Sequence, residues 1–128
     1  NLKKFEKLID TYLEIIRKLN QKVIKNNTKI LIVYIPMKNN FFNKNSLNKI
    51  LKEKIKKKVI EEDLIFVDLE EEIREIDIPI DTIYPDGDFY EQHFNERGYN
   101  IISDIINNNI KLWFDVLVYI MNVVDFIF

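Results

Sequence analysis

The chain has 128 residues, the size of one ordinary domain, and its 47% hydrophobic against 31% charged residues exclude a disordered tail. Basic residues number 19 and acidic residues 21, a net charge of -2, so no global basic field exists to hold a nucleic-acid backbone or an anionic membrane. Cysteine is absent and His93 is the single histidine, which excludes disulfides, thiolate metal sites and multi-histidine centres. The glycines are Gly87 and Gly98 alone, too few to write a phosphate-cradling GxGxxG or GxxxxGK[ST] loop. Alanine is missing while isoleucine occurs 23 times and asparagine 15 times, a bias toward AT-rich codons that weakens propensity arguments. No signal peptide or typical membrane span is visible.

The chain opens at Asn1 directly in an amphipathic pattern, which reads as a fragment of a longer domain or as a processed chain. Apolar residues Leu2, Phe5, Leu8, Ile9, Tyr12, Ile15, Ile16, Leu19 and Val23 recur at three- and four-residue steps and predict a helix over residues 2–25. Lys29 to Ile35 (KILIVYI) is an apolar, β-branched run of the kind a strand buried on both faces of a parallel sheet shows, and Pro36 ends it. Residues 37–45 read as a polar loop carrying Phe41 and Phe42. Ser46 is a candidate N-cap for a second helix from Leu47 to about Ile60, with Leu47, Ile50, Leu51, Ile55 and Val59 on its core side. Leu64 to Leu69 (LIFVDL) predicts a second short buried strand, and Glu70 to Ile76 a short helix with an acidic first turn. Residues 77–95 are irregular. Glu96 to Lys111 predicts a third long helix, capped by Asn95, with Tyr99, Ile102, Ile105, Ile106 and Ile110 for the core.

This alternation predicts one α/β domain with a parallel sheet, and two strands are few for it. The tail, residues 112–128 (LWFDVLVYIMNVVDFIF), is nearly all apolar. It sits at the short limit for crossing a bilayer and carries Asp115 and Asp125, which make crossing costly. It reads as a buried closing strand or helix, as a segment contacting a membrane or partner, or as an extension prone to aggregate.

Chemistry is concentrated in Tyr84 to Asn100 (YPDGDFYEQHFNERGYN), which holds His93, the carboxylates Asp86, Asp88 and Glu91, both glycines and a helix start. In open α/β sheets ligands bind in loops beyond the carboxyl ends of the strands. A histidine there can act as a general base near neutral pH, and a nearby carboxylate can orient its ring. The bland alternative is a surface histidine in a locally bonded turn. Lys52 to Lys58 (KEKIKKK) reads as a solvated helix face or a basic patch. Glu70, Glu71 and Glu72 with Asp63 read as a helix-start acidic cluster or a cation site. Lys38, Phe41 and Phe42 follow the first strand, where they can border a pocket.

The order of features resembles the C-terminal half of an SGNH (GDSL-type) hydrolase domain over residues 2–110. It comprises a strand ending in proline (KILIVYIP), a helix, a strand ending in Asp-Leu (LIFVDL), and His93-Phe94-Asn95-Glu96-Arg97-Gly98-Tyr99 opening the last helix. HFNERGY is similar to the His-x-Asn-x-x-Gly-His/Tyr of the branch associated with O-acetylation of cell-surface polysaccharides. The resemblance implies a three-layer α/β/α (flavodoxin-like) fold and serine-dependent hydrolysis or acetyl transfer on an acetylated carbohydrate or other small ester. It also implies no cofactor or metal, and work in the cell envelope or otherwise outside the cytoplasm. By it, His93 is the base, and Asn95 and Gly98 are structural. The family's Asp, three residues before the His, is Tyr90 here. Asp88 is the preferred substitute orienter, with Glu91 and Asp86 as alternatives. The Gly-Asp-Ser nucleophile block is absent from the chain, whose serines are Ser46 and Ser103. A non-catalytic interaction module and a truncated inactive fragment are the alternatives.

Overall fold

The computed structural model describes residues 2–26, 28–43, 47–87, 93–111 and 116–121. In chain order they form α1 (Leu2–Val23), β1 (Lys29–Tyr34), α2 (Lys38–Phe42), α3 (Leu47–Glu61), β2 (Ile65–Asp68), α4 (Leu69–Ile76), α5 (Glu96–Lys111) and β3 (Val116–Met121), with single 3-10 turns at Ile24–Asn26 and Ile80–Thr82. The protein is mixed α/β. The strands are parallel in the order β2-β1-β3, with Leu31 opposite Ile65 and Tyr34 opposite Asp68 on one side of β1, and Lys29 opposite Val116 and Tyr34 opposite Met121 on the other.

The apolar run of β1 is explained by its central place. Alternate side chains enter two separate cores. Ile30, Ile32 and Tyr34 pack with Ile9, Tyr12, Leu13 and Ile16 of α1 and with Leu51, Ile55 and Val59 of α3. Leu31 and Val33 pack with Val67, with Leu69 and Ile73 of α4, and with Ile102 and Ile105 of α5.

Several expectations need correction. Residues 38–42, read as loop, form the short helix α2. The Asn40 side chain folds back to accept from the Met37 N–H at 2.9 Å, closing the first turn with a local bond that composition does not reveal. On α1 the buried stripe is narrower than the apolar count suggested: Leu8 and Ile15 are 39% and 61% exposed, whereas Leu13 is buried. On α3, Leu47 and Ile50 are exposed and Lys52 takes a core position; on α5, Tyr99 is exposed. The second strand stops at Asp68, which turns the chain into α4. The tail, by contrast, supplies a strand, the first of its readings, as Val116–Met121 pair with β1. Ser46 lies outside the described residues. Among the described residues no helix is long and apolar enough to cross a membrane.

Neighbouring isoleucines test the orientation of α1. Ile16→Ala, at a position 2% exposed, costs about 2–5 kcal/mol of stability. Ile15→Ala changes stability by no more than about 0.5 kcal/mol. Equal losses in urea unfolding contradict the assignment.

Candidate functional site

The loop that carries His93 is tied to the carboxyl end of β1. Just after that strand, the Pro36 carbonyl accepts a hydrogen bond from the Tyr84 hydroxyl at 2.8 Å. The Tyr84 ring stacks on Phe94 with centroids 4.5 Å apart and meets the edge of Phe41 at 6.2 Å. All three rings are buried, while His93, next in the chain to Phe94, is exposed.

Asn95 fastens this arrangement. Its Nδ2 donates to the carbonyls of Thr82 (3.1 Å) and Tyr84 (3.2 Å), and its backbone N–H donates to Ile83 (3.0 Å). Its Oδ1 accepts from the Gly98 N–H at 2.9 Å, the N-cap bond expected of this residue at the start of α5. Gly98 permits the close approach. A Cβ there would stand 2.5 Å from the Ile83 carbonyl oxygen and 2.8 Å from Phe94 Cβ. One asparagine and one glycine thus lock α5 onto the 82–84 segment, with His93 at the rim.

The other sequence candidates separate. Asp86 is exposed in the turn before Gly87, whose φ of +106° suits glycine. Asp88, the preferred orienter, lies outside the described residues, as do Tyr90 and Glu91. Ser103 is on an exposed position of α5. Lys38 pairs with Asp81 at 2.9 Å. Phe41 belongs to the core, and Phe42 is 62% exposed.

A second polar assembly lies at the same end of the sheet and was not legible as such. Asp68, the last residue of β2, caps α4 by accepting from the N–H groups of Glu70 (3.1 Å) and Glu71 (3.4 Å) through Oδ1. Lys52 reaches it from α3 with its side chain only 2% exposed. Its Nζ lies 2.8 Å from Asp68 Oδ2, an ion pair whose angles fall outside hydrogen-bond geometry. The same Nζ donates to Glu70 Oε2 at 3.0 Å and stands 5.3 Å from the centroid of the Tyr34 ring. Glu70 in turn accepts from Arg74 at 3.0 Å, and Arg74 donates to the Phe41 carbonyl at 2.7 Å while lying 5.2 Å from that ring's centroid.

Burial sets the electrostatics of this group. It pulls the Lys52 ammonium down, but the close approach and charge of the Asp68 and Glu70 carboxylates outweigh it, so the group is held above its ordinary value. Burial pushes the Asp68 carboxyl above its ordinary range, with Lys52 opposing. It also pushes up the hydroxyls of Tyr34 and Tyr84, and the charge of Glu70 adds to both shifts.

These contacts correct the two charge readings of the sequence. KEKIKKK is not a uniformly solvated face: Lys52 is buried, Lys54 and Lys56 bond Glu6 and Glu71 at 2.6 Å each, and Lys58 bonds Asp10. A usable signal was present, since Lys52, Ile55 and Val59 share one helical stripe. The acidic start of α4 is a helix-start cluster as read, but Asp63 sits apart in the turn after α3. Carboxylate oxygens of Glu53, Asp68 and Glu71 do lie within 4.8 Å of one another, and the ammonium groups of Lys52 and Lys56 supply the positive charge there.

Two variants test these assemblies. Lys52→Met strands buried carboxylates and costs about 3–5 kcal/mol near neutral pH. A buried carboxyl with a raised pKa takes its proton in the folded state before the unfolded chain does, so folding gains stability as pH falls through that pKa. Loss of Lys52, which opposes that rise, lifts the Asp68 carboxyl further in the variant than in the parent chain, so the variant gains more as pH falls and its deficit shrinks toward the ordinary aspartate value of 3.8. A deficit constant with pH contradicts the assignment. Gly98→Ala destabilises by about 1–3 kcal/mol through overpacking, although Gly→Ala inside a free helix stabilises by about 1 kcal/mol. Increased stability in urea unfolding contradicts the close approach.

No protein-family model, curated protein or solved structure matches the chain, so function is argued from the site's own residues.

Proposed function

We propose that the chain is the C-terminal portion of a three-layer α/β/α domain of the SGNH (GDSL-type) hydrolase kind. In this reading it takes part in serine-dependent hydrolysis or transfer of an acetyl group on an acetylated carbohydrate or other small ester, in the cell envelope. The observation that carries the reading is the exposed His93, flanked in the chain by Phe94 and Asn95, of which Phe94 stacks on the Tyr84 ring tied to the end of β1 and Asn95 caps α5. Cores on both faces of β1 are consistent with it.

In this mechanism His93 takes the proton from a serine Oγ as that oxygen attacks the acyl carbon. It then returns the proton to the departing alkoxide. Asp88 is its orienting carboxylate. The serine and the oxyanion donors come from a segment outside these 128 residues, since neither Ser46 nor Ser103 stands in a Gly-Asp-Ser context. The same missing block, together with Tyr90 in the place of the family's Asp, favours the second reading, a non-catalytic α/β interaction module.

Hydrolysis of p-nitrophenyl acetate tests the proposal. The 128-residue chain alone gives no turnover. The full product of its gene does, and His93→Ala lowers its kcat/KM about 10²–10⁴-fold. An unchanged rate in that variant, or a gene with no Gly-Asp-Ser block upstream of Asn1, overturns the catalytic reading.

A further inference from the structure

Helix α1 carries two seams side by side. Phe5, Ile9, Tyr12, Ile16, Leu19 and Val23 pack into the protein. One position earlier at each step run Lys4, Leu8, Thr11, Ile15, Lys18 and Lys22, and all six are exposed. At about 100° per residue this second seam lies to one side of the first. The flank toward α3 is the opposite one, where Glu6 and Asp10 bond Lys54 and Lys58. Because α3 packs on β2 and the strands run β2-β1-β3, the exposed seam overhangs the β3 side of the sheet, where the apolar tail enters it.

The charge on this seam is not neutralised as that of α3 is. Lysines 54, 56, 57 and 58 of α3 each meet a carboxylate. On α1, Lys18 pairs with Glu14 of the same helix at 2.9 Å. Among the described residues Lys4 and Lys22 pair with none, nor do their neighbours Lys3, Lys7 and Lys25. Two aliphatic side chains, Leu8 at 39% and Ile15 at 61% exposure, thus sit in water between unpaired cations at both ends of one convex helix.

We propose that this seam docks on an anionic lipid bilayer. Helix α1 lies in the headgroup plane, Leu8 and Ile15 enter the interface, and the lysines meet lipid phosphates. A second copy of the chain does not fit, since pairing two such seams brings lysines against lysines. An acidic protein partner fits less well, because Leu8 and Ile15 stand out from the face of a single helix rather than lining a pocket that would receive a buried anchor, whereas a fluid headgroup layer conforms to it. The net charge of -2 does not oppose contact, because exposed charges further off than the Debye length, about 8–10 Å, are screened.

Co-sedimentation of the 128-residue chain with vesicles tests the proposal. The chain pellets with vesicles of equal parts phosphatidylcholine and phosphatidylglycerol, releases in high salt, and stays in solution with phosphatidylcholine alone. Replacing Lys4 and Lys22 by Gln weakens binding about fivefold per charge, and Leu8→Ser with Ile15→Ser abolishes it. Lys54→Gln with Lys57→Gln on α3 leaves it unchanged. Circular dichroism reports whether each variant folds. A second readout needs no seam variant: the chain lacks cysteine, so Thr11→Cys takes a single polarity-sensitive fluorophore whose emission shifts to the blue on the anionic vesicles, while a label at Glu61→Cys on α3 does not shift. No pelleting, or equal pelleting with both vesicles, overturns the proposal. Anionic binding without a shift at position 11 also overturns it and assigns the contact elsewhere, as to the apolar tail. Capture by polyglutamate without vesicle binding overturns it in favour of an acidic protein.

Discussion

A lysine ammonium withdrawn from water between three elements organises the carboxyl end of the sheet. Moving an ammonium into a protein interior costs several kcal/mol unless charges and hydrogen bonds replace its hydration. Lys52 is held by Asp68 at the end of β2 and by Glu70 in the first turn of α4, with the Tyr34 ring alongside. The contacts then continue without a break. Glu70 holds Arg74, Arg74 holds the carbonyl of Phe41 in α2, and Phe41 packs on Tyr84, which stacks on Phe94 beside His93. None of these residues is near another in the chain except around the start of α4, from Asp68 to Arg74, and at the Phe94 turn. The ionic group therefore fixes how α2, α4 and the His93 loop sit over the strand ends, and its removal is a matter of geometry as well as stability.

Much of this architecture was readable beforehand, for identifiable reasons. The central strand β1 is buried on both faces and has no polar alternation to confuse it. Helix α5 begins and ends as its pattern predicts, because Asn95 marks its start with a local bond. What could not be read depended on tertiary partners. The sequence KNNFF contains little that favours a helix, and α2 relies on Asn40 folding back and on Arg74 reaching its last carbonyls. Lys52 reads as one of a basic run, although its spacing to Ile55 and Val59 puts it on the core stripe. Leu8 and Ile15 read as core because an apolar residue next to a buried seam looks like part of it. Asp68 reads as a strand residue, which it is, but its second role as a helix cap appears only once the chain turns.

The candidate site divides in the same way. HFNERGY stands out in the sequence as a unit, and the contacts of Asn95 and Gly98 are those of a helix cap and of a close approach. The strand end and the aromatic stack that hold the unit were not foreseen, since Tyr84 and Pro36 are 48 residues apart. The two halves of α1 behave differently again. One flank is satisfied by the acids and lysines it shares with α3, and the other presents bare aliphatics between lysines of which Lys18 alone meets a carboxylate among the described residues. That asymmetry separates the surface that completes the fold from the one open to an outside partner.

The claim that the buried ion group holds the His93 loop is tested most directly by hydrogen exchange. The amides of Asn95 and Gly98 report the loop, since they donate to Ile83 and to the Asn95 side chain. In Lys52→Met, the account predicts that both lose protection together with the first turn of α4. Full protection at Asn95 and Gly98, with loss confined to α4, would show that the loop holds itself and would contradict the account.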